Sequence, residues 1–213
     1  GGNIIDLAEL LYNSSDVSYL IHQIERNAPS CVSVSLPTAK PNTPQNSFEN
    51  LQVLSISHPA LIKYLGERCI DIEIARTVCK ELHFDTRGKH YFGIGCPNIA
   101  GGYEIRNPFF KGCIAPKDIS HFYAEEPKKV CFLFEGFMDF LSFMTLRRKE
   151  NDGLKLQDYL VLNSVSNIHK ALEPLSHYEN VQCFLDTDEA GRNAYLQLSK
   201  ELGSSVLDSS SLY

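Results

Sequence analysis

Residues 128–149 read KKVCFLFEGFMDFLSFMTLRRK, an apolar run of strand length that is followed at once by a helical pattern. Residues 158–176 (DYLVLNSVSNIHKALEPLS) and 180–202 (NVQCFLDTDEAGRNAYLQLSKEL) repeat this arrangement, and SSVLD at 204–208 reads as a last short strand. Strands that alternate with helices are typical of a parallel sheet, and continuously apolar strands indicate that helices cover both faces. The sequence therefore predicts an α/β fold with a parallel sheet flanked by helices.

Polar residues follow the apolar runs at the ends where such a sheet binds its ligands. Glu135 ends the first run, and Asp186 and Asp188 end the third. In an open parallel sheet, ligands lie beyond the carboxyl ends of the strands, and carboxylate oxygens suit Mg²⁺ or Mn²⁺. If the two strands are neighbours, these three carboxylates form a metal site.

Three further residues belong to the same candidate site. Asp139 lies four residues beyond Glu135, where it either joins the metal site or interacts with the positive end of its own helix. Gly191 allows a tight turn into the next helix, whose first amides would attract an anion. We expect Gly136 to play the same part after Glu135.

The Asp-x-Asp pair alone leaves several interpretations open. A calcium loop of the EF-hand type is excluded, because Ala190 and Gln197 stand where it needs acidic or amide ligands. A phosphatase with an aspartyl nucleophile also places Asp-x-Asp after a strand, but little chain follows Asp188 to supply its other groups. Helix-capping carboxylates without a metal remain a third interpretation.

The segments FLFEGFMDFLSF (132–143) and CFLDTDEAGRNA (183–194) together resemble the Toprim domain, which bacterial-type primases, type IA and type II topoisomerases and some nucleases share. The resemblance covers about residues 128–203, and EGFMDFLSF looks most like the primase version. It implies that Glu135 assists proton transfer or binds metal, while Asp186 and Asp188 hold Mg²⁺ that aligns nucleotide phosphates.

The resemblance extends outward more loosely. Residues 58–75 look like a primase segment in which Cys69 replaces a glycine, and 91–112 are similar to a hairpin region of primase-like proteins from mobile elements. Arg106 and Lys111 match basic positions of that pattern, which implies contact with template or nucleotide; otherwise they are surface residues of a hairpin. GGNIIDLAELL at the start resembles the tail of a zinc-binding domain, so zinc is expected only in an upstream domain.

Four parts follow from these patterns. Residues 1–27 form the helical tail of the upstream domain, with two short helices, and 28–50, rich in Pro, Ser, Thr and Asn, form a linker. Residues 51–127 form a small α+β subdomain with helices at 58–71 and 72–84 and then hairpin strands, and 128–213 form the Toprim domain. Primases have further acidic residues after this last helix, whereas this chain has only Asp208 there, so the resemblance implies that this fragment is incomplete or inactive alone.

Composition limits the classes of protein that remain. The formal net charge of −6 argues against a protein that coats nucleic acid, although it does not exclude a metal-dependent enzyme acting on it. Seven scattered cysteines without Cys-x-x-Cys spacing indicate neither a disulfide framework nor a zinc site. No apolar run reaches the roughly 20 residues of a membrane span, and no secretion signal is present, so a cytoplasmic protein without membrane contact is expected.

These observations favour a primase-like nucleotidyltransferase core that performs Mg-dependent primer synthesis in DNA replication. Its partners would be single-stranded DNA template, nucleoside triphosphates and a helicase, in the setting of a mobile element. Two alternatives stay open: a Toprim nuclease or topoisomerase relative, and a non-catalytic Toprim module that recruits replication or recombination proteins.

Overall fold

A computed structural model of the protein describes residues 4–27, 48–126, 128–149 and 157–212. The chain divides into two compact units, residues 1–45 and 46–213. In the first unit, helices α1 (Ile4–Tyr12) and α2 (Val17–Asn27) confirm the two predicted helices. Asp16 ends the break between them, and its Oδ1 accepts hydrogen bonds from the amides of Ser18 (3.0 Å) and Tyr19 (3.2 Å). Most of the predicted linker, residues 28–47, lies outside the described residues.

The second unit begins with an antiparallel sheet and two helices. Its strands lie in chain order, and the helices stand between the first two. The elements are β1 (Glu49–Leu54), α3 (Pro59–Glu67), α4 (Ile72–Val78), β2 (Lys80–Thr86), β3 (Lys89–Pro97), β4 (Tyr103–Asn107) and β5 (Phe110–Ile114). The predicted hairpin strands are thus confirmed.

The predicted second helix is wrong in nearly its whole second half. The apolar spacing predicts a helix to residue 84, but α4 ends at Val78, and β2 begins at Lys80. Cys79 has an extended backbone, and the following residues pair with β1 on one side and β3 on the other. Burial of Leu82 and Phe84 in the sheet outweighs the local helical pattern, because long-range strand pairing is not visible in a short window.

The rest of the chain confirms the predicted parallel sheet. The elements are β6 (Ser120–Phe122), β7 (Val130–Phe134), α5 (Phe137–Lys149), β8 (Asp158–Val161), α6 (Ile168–Leu175), β9 (Asn180–Phe184), α7 (Glu189–Leu202) and β10 (Val206–Asp208). The strand order is β10-β9-β7-β8-β6, and all neighbours are parallel except β6, which pairs antiparallel with β8. The short edge strand β6 is an addition to the predicted elements.

Strand β7 is central and buries both of its faces. Phe132 and Phe134 belong to a cluster that also contains Leu61 and Ile94 of the antiparallel part. Cys131 and Leu133 point the other way, into a cluster formed with α6 and α7. The antiparallel part therefore shares a hydrophobic core with the parallel sheet, while the domain boundary predicted at residues 127 and 128 stays a prediction.

The structure describes the state of most cysteines and the lengths of the helices. The six cysteines within the described residues are free thiols, and Cys31 lies outside those residues. None of the helices in the described ranges has the length and apolar character that crossing a bilayer requires.

Candidate active site at the carboxyl edge of the parallel sheet

The sheet brings Glu135 and Asp186 together. Strands β7 and β9 are hydrogen-bonded neighbours in parallel register, with Phe134 opposite Phe184, so the residues that follow them emerge at the same edge. Glu135 comes directly after β7, and Asp186 lies two residues beyond β9. The backbone amide of Asp186 donates a hydrogen bond to the Glu135 carboxylate. The neighbouring strands that the sequence-based metal site required are therefore present.

Several negative charges act on each other at this edge. Burial raises the pKa of Glu135 above its usual value, and the charges of Asp186 and Asp188 raise it further. Partial desolvation also raises the pKa of Asp186, although the residue is exposed at the surface, and the charges of Asp139 and Asp188 add to the rise. Lys111 opposes both shifts without cancelling them. The site thus holds carboxylates that would gain from a bound cation.

The carboxylates at this edge suit a magnesium ion that keeps water ligands better than an ion enclosed by protein ligands alone. Glu135 Oε2 is buried and has no hydrogen-bond partner among the described residues. Within those same residues, no three His, Cys, Asp or Glu side chains lie close enough together to enclose an ion. Mg²⁺ keeps several waters and often binds through one or two carboxylates. The arrangement of Glu135 and Asp186 is compatible with that mode.

Asp188 also has a structural role. It is the N-cap of α7, and its Oδ1 accepts the amide hydrogen of Gly191 at 2.9 Å. The capping interpretation of the sequence is therefore correct for this oxygen. Asp188 is exposed at the surface of the site, beside Asp186 and Glu135.

Gly191 is needed for close packing. A Cβ atom at this position would lie 2.0 Å from the carbonyl oxygen of Asp186, far inside ordinary contact. Only glycine lets α7 start directly under the Asp186 backbone. The Gly191 amide is bonded to Asp188, whereas anion binding by the first amides of α7 and a role of Gly191 in nucleotide binding stay predictions.

Asp139 and Gly136 lie at the same edge. Asp139 is in the first turn of α5, and its charge raises the pKa of Asp186. A Cβ on Gly136 would lie 3.0 Å from Asp139 Oδ2, so this glycine leaves room for that carboxylate. Asp139 thus lies near the acidic site and also in the first turn of its own helix, so both interpretations stay open and metal binding stays a prediction.

The antiparallel sheet brings positive charge to the acidic edge. Arg106 and Lys111 are paired across the hairpin of β4 and β5. Both line a small pocket together with Gly136 and Asp139. Neither makes an ion pair within 4.0 Å with a carboxylate that the structure describes. The hairpin thus presents two basic side chains to whatever occupies the site.

The site predicted from the sequence does not include two polar residues of this pocket, Glu104 and Asn163. Asn163 is visible in the sequence as the residue after an apolar strand, and its positive φ of 62° fits the tight end of that strand. Glu104 gives no signal, because a carboxylate in a hairpin strand is ordinarily on the solvent side. In the structure it is only 5% exposed.

Comparison with known proteins agrees with this geometry. Residues 132–212 match the family described as Toprim-like, and residues 50–115 match a family described as a domain of unknown function (DUF8464). No curated protein matches the sequence. The carboxyl-terminal part of the chain therefore carries a Toprim-like domain, as its two acidic motifs suggested.

Two solved structures with a similar fold come from a bacteriophage. The primase fragment of the bacteriophage T7 primase-helicase protein aligns with a TM-score of 0.52 and 18% identity, over 75% of this chain and 66% of that fragment. A structure of the T7 lagging-strand DNA polymerase interacting with primase domains of two gp4 subunits contains a chain that aligns with a TM-score of 0.51 and 16% identity, over 75% of this chain and 80% of that one. The described chain thus has a primase-like fold and spans slightly less than two thirds of the T7 fragment.

Proposed function

We propose that this chain is the catalytic core of a primase-like nucleotidyltransferase, which joins nucleoside triphosphates into a primer on single-stranded DNA with Mg²⁺ or Mn²⁺. The observation that carries the proposal is the meeting of Glu135 and Asp186 at the carboxyl edge of a Toprim-like sheet, opposite Lys111. Carboxylates for metal and a facing cation for phosphate are the two requirements of phosphoryl transfer.

The residues at this edge divide into ligands and a proton acceptor. Asp186 and Asp188, with Asp139 nearby, would hold the metal through one or two carboxylates and water, and Glu135 would be the proton acceptor. When bound, the ion offsets negative charge on the transferred phosphoryl group and aligns the phosphates. Desolvation and mutual repulsion raise the pKa values of Glu135 and Asp186, and a bound ion would offset that repulsion.

Glu135 is suited to take the proton from the primer 3′ hydroxyl. Its raised pKa makes it a better base than an exposed carboxylate, and its Oε2 is not engaged by any described group. Loss of that proton accompanies formation of the new bond from the hydroxyl oxygen to the α-phosphorus. Pyrophosphate leaves as the bond between the α-phosphorus and the bridging oxygen breaks.

Lys111 and Arg106 would contact phosphate oxygens of the nucleotide or the template. Their position on a paired hairpin fixes the direction from which they approach, and the pocket that they line includes Asp139. A basic hairpin over an acidic edge separates the two charges, so that phosphate groups can lie between metal and cations. Gly136 and the turn at Gly191 would allow the backbone to come close to the same ligand.

The wider setting is also part of the proposal. Single-stranded DNA and nucleoside triphosphates would be the substrates, and a helicase would be the partner that exposes the template. The T7 protein with the similar fold is a primase-helicase, which supports this pairing. The protein would work in the replication of a mobile element, in the cytoplasm, because residues 91–112 resemble primase-like proteins of mobile elements.

Primer synthesis on single-stranded DNA tests this function. The native protein should extend labelled nucleotides into short products only when Mg²⁺ or Mn²⁺ is present. Glu135→Gln and Asp186→Asn should lower that synthesis about 10²- to 10⁴-fold, the usual effect of removing a catalytic acid or base. Glu126→Gln, at a carboxylate that is 85% exposed, is the control and should leave synthesis unchanged. Equal synthesis in all four proteins would overturn the assignment, and degradation of the template instead of synthesis would indicate a nuclease.

A further inference from the structure

Phe109 is almost fully exposed at the tip of the hairpin formed by β4 and β5. The residue is 94% exposed, and among the described residues no other large hydrophobic side chain is as exposed. The next residue, Phe110, is packed: its ring centroid lies 6.4 Å from that of Phe84, and a Cβ on Gly112 would lie 2.4 Å from its ring. Single exposed apolar residues are common in proteins, so the surroundings of Phe109 decide whether its exposure has a function.

Hydrogen bonds hold the turn that carries Phe109. Asn107 Oδ1 accepts the amide hydrogens of Phe109 and Phe110, both at 2.9 Å. Asn107 Nδ2 donates to the carbonyl oxygen of Phe92 at 2.8 Å. Because Asn107 and Phe110 are paired across the hairpin, the turn has only two residues, and the ring of Pro108 restricts the backbone of the first. The exposed aromatic ring is therefore presented from a fixed backbone.

Two cations stand between Phe109 and the acidic site along this hairpin. Arg106 and Lys111 are paired two positions below the tip, and both line the pocket that contains Asp139. Since a strand rises about 3.4 Å per residue, the backbone of Phe109 lies roughly 7 Å beyond this pair. The order along the hairpin is thus acidic edge, two cations and exposed aromatic ring.

The turn between β2 and β3 adds positive charge at the same end of the sheet. Strands β2 to β5 pair antiparallel in chain order, so this turn and the turn that carries Phe109 share one end. Arg87 and Lys89 are exposed there, and neither makes an ion pair with a carboxylate that the structure describes. The nearby Asp85 has its Oδ1 2.9 Å from His90 Nδ1. In a chain with a formal net charge of −6, this end of the sheet collects cations around an exposed ring.

Single-stranded nucleic acid fits this surface better than a protein partner. The apolar part is one ring among charged residues, whereas the centre of a protein interface is apolar and poor in charge. An unpaired strand offers phosphates to the cations and the flat face of a base to the ring, and such stacking tolerates any sequence. A duplex keeps its bases in their own stack, so it would engage the cations alone.

We propose that Phe109 stacks on one base of the single-stranded DNA template, while the four cations of the two hairpins attract the neighbouring phosphates. The proposal rests on the proposed function, which brings a template to the acidic edge. Stacking at a fixed point of the hairpin sets the distance of the strand from Asp186. Phe109 is therefore a positioning residue, outside the reacting groups.

Binding of single-stranded DNA without metal or nucleotides tests the proposal. Fluorescence anisotropy of a labelled oligothymidylate gives the dissociation constants of native protein, Phe109→Ala, Phe109→Trp and the control Tyr123→Ala. Tyr123 is a matched aromatic residue, 71% exposed, which follows β6 at the amino end of β8 and so lies at the edge of the parallel sheet opposite the acidic site. Phe109→Ala should bind about 5- to 150-fold more weakly, the loss expected for one stacked base. Phe109→Trp and Tyr123→Ala should bind as the native protein does.

An abasic strand separates stacking from a change in the shape of the hairpin. It keeps the phosphates and has no bases, so native protein and Phe109→Ala should bind it equally. The slope of log affinity against log salt concentration should also be equal in these two proteins, because Phe109 contacts no phosphate. Lys111→Gln should lower the magnitude of that slope by about 0.7, the effect of one phosphate contact on a single strand.

The outcomes distinguish this proposal from the proposed function. Equal affinity of native protein and Phe109→Ala for the oligothymidylate would overturn the stacking, and so would an equal loss on the abasic strand. Absence of binding by the native protein at low salt would overturn it as well. Binding that depends on Phe109, in a protein that makes no primer, would overturn only the proposed function.

Discussion

The substitution Gly191→Ala should disturb the acidic site by moving the Asp186 backbone. The added Cβ would lie 2.0 Å from the Asp186 carbonyl oxygen, 2.8 Å from its carbonyl carbon and 3.0 Å from its nitrogen, whereas ordinary contact begins at 3.4 Å. The closest pair of atoms must therefore move apart by about 1.4 Å, and all three neighbouring atoms belong to the backbone and cannot rotate away. Overpacking of this kind costs about 1–3 kcal/mol, offset by about 0.5–1 kcal/mol because alanine suits a helix better than glycine.

We expect Gly191→Ala to lose up to about 2.5 kcal/mol of unfolding free energy in urea titrations without metal. A shift of Asp186 by about 1 Å should also lower nucleotide joining about 100-fold, because catalysis depends on placement at that scale. Gly66→Ala is the matched control, since nothing lies within 4 Å of a Cβ there and the helix should gain about 0.5–1 kcal/mol. If Gly191→Ala were as stable as Gly66→Ala and joined nucleotides at the native rate, the argument for close packing would be refuted.

Three other outcomes follow from the described contacts. Asp188→Ala should lose about 1 kcal/mol of unfolding free energy relative to Asp188→Asn, because asparagine still caps α7 while both variants lose the charge; thermal unfolding measures the difference. The raised pKa of Glu135 means that its folded form holds a proton more tightly than its unfolded form, so its stabilisation is complete below about pH 4 and lost as the pH rises through the folded value. As the pH rises from about 4 to about 7 without metal, the unfolding free energy of Glu135→Gln, measured by urea titration, should therefore fall less than that of the native protein. An equal fall in both proteins would contradict the raised pKa of Glu135. Glu81→Ala should lower the unfolding free energy by about 2 kcal/mol or more, because Glu81 Oε2 accepts the amides of Ser57 (2.8 Å) and His58 (2.7 Å), which would be left unpaired; a change under 0.5 kcal/mol would contradict this.

The parallel half of the fold is readable from the sequence because its signals are local. Apolar runs such as 130–134 are followed by helical segments, and each predicted strand and helix after residue 128 is found in the structure. Placement of Glu135 and Asp186 at one edge then follows from the rules of parallel sheets. The sequence is sufficient to identify these two acidic residues, because the ends of the strands determine where they emerge.

The antiparallel half is harder to predict because its structure depends on distant pairing. The segment after Cys79 has helical spacing, yet it is a strand held between β1 and β3. Burial of Glu104 cannot be read from its hairpin strand either, because it results from packing against the acidic edge of the other sheet. Local sequence patterns indicate the backbone conformation that each segment prefers, whereas contacts between two sheets depend on residues that are distant in the sequence.

The most direct test of the proposed function is the initial rate of dinucleotide formation on single-stranded DNA in Mg²⁺, for native protein and Asp186→Asn at equal concentrations of folded protein. We predict a rate that requires the ion in the native protein and falls about 10²- to 10⁴-fold in the variant. A native rate in Asp186→Asn would contradict the claim that the acidic edge of the Toprim-like sheet carries out the reaction.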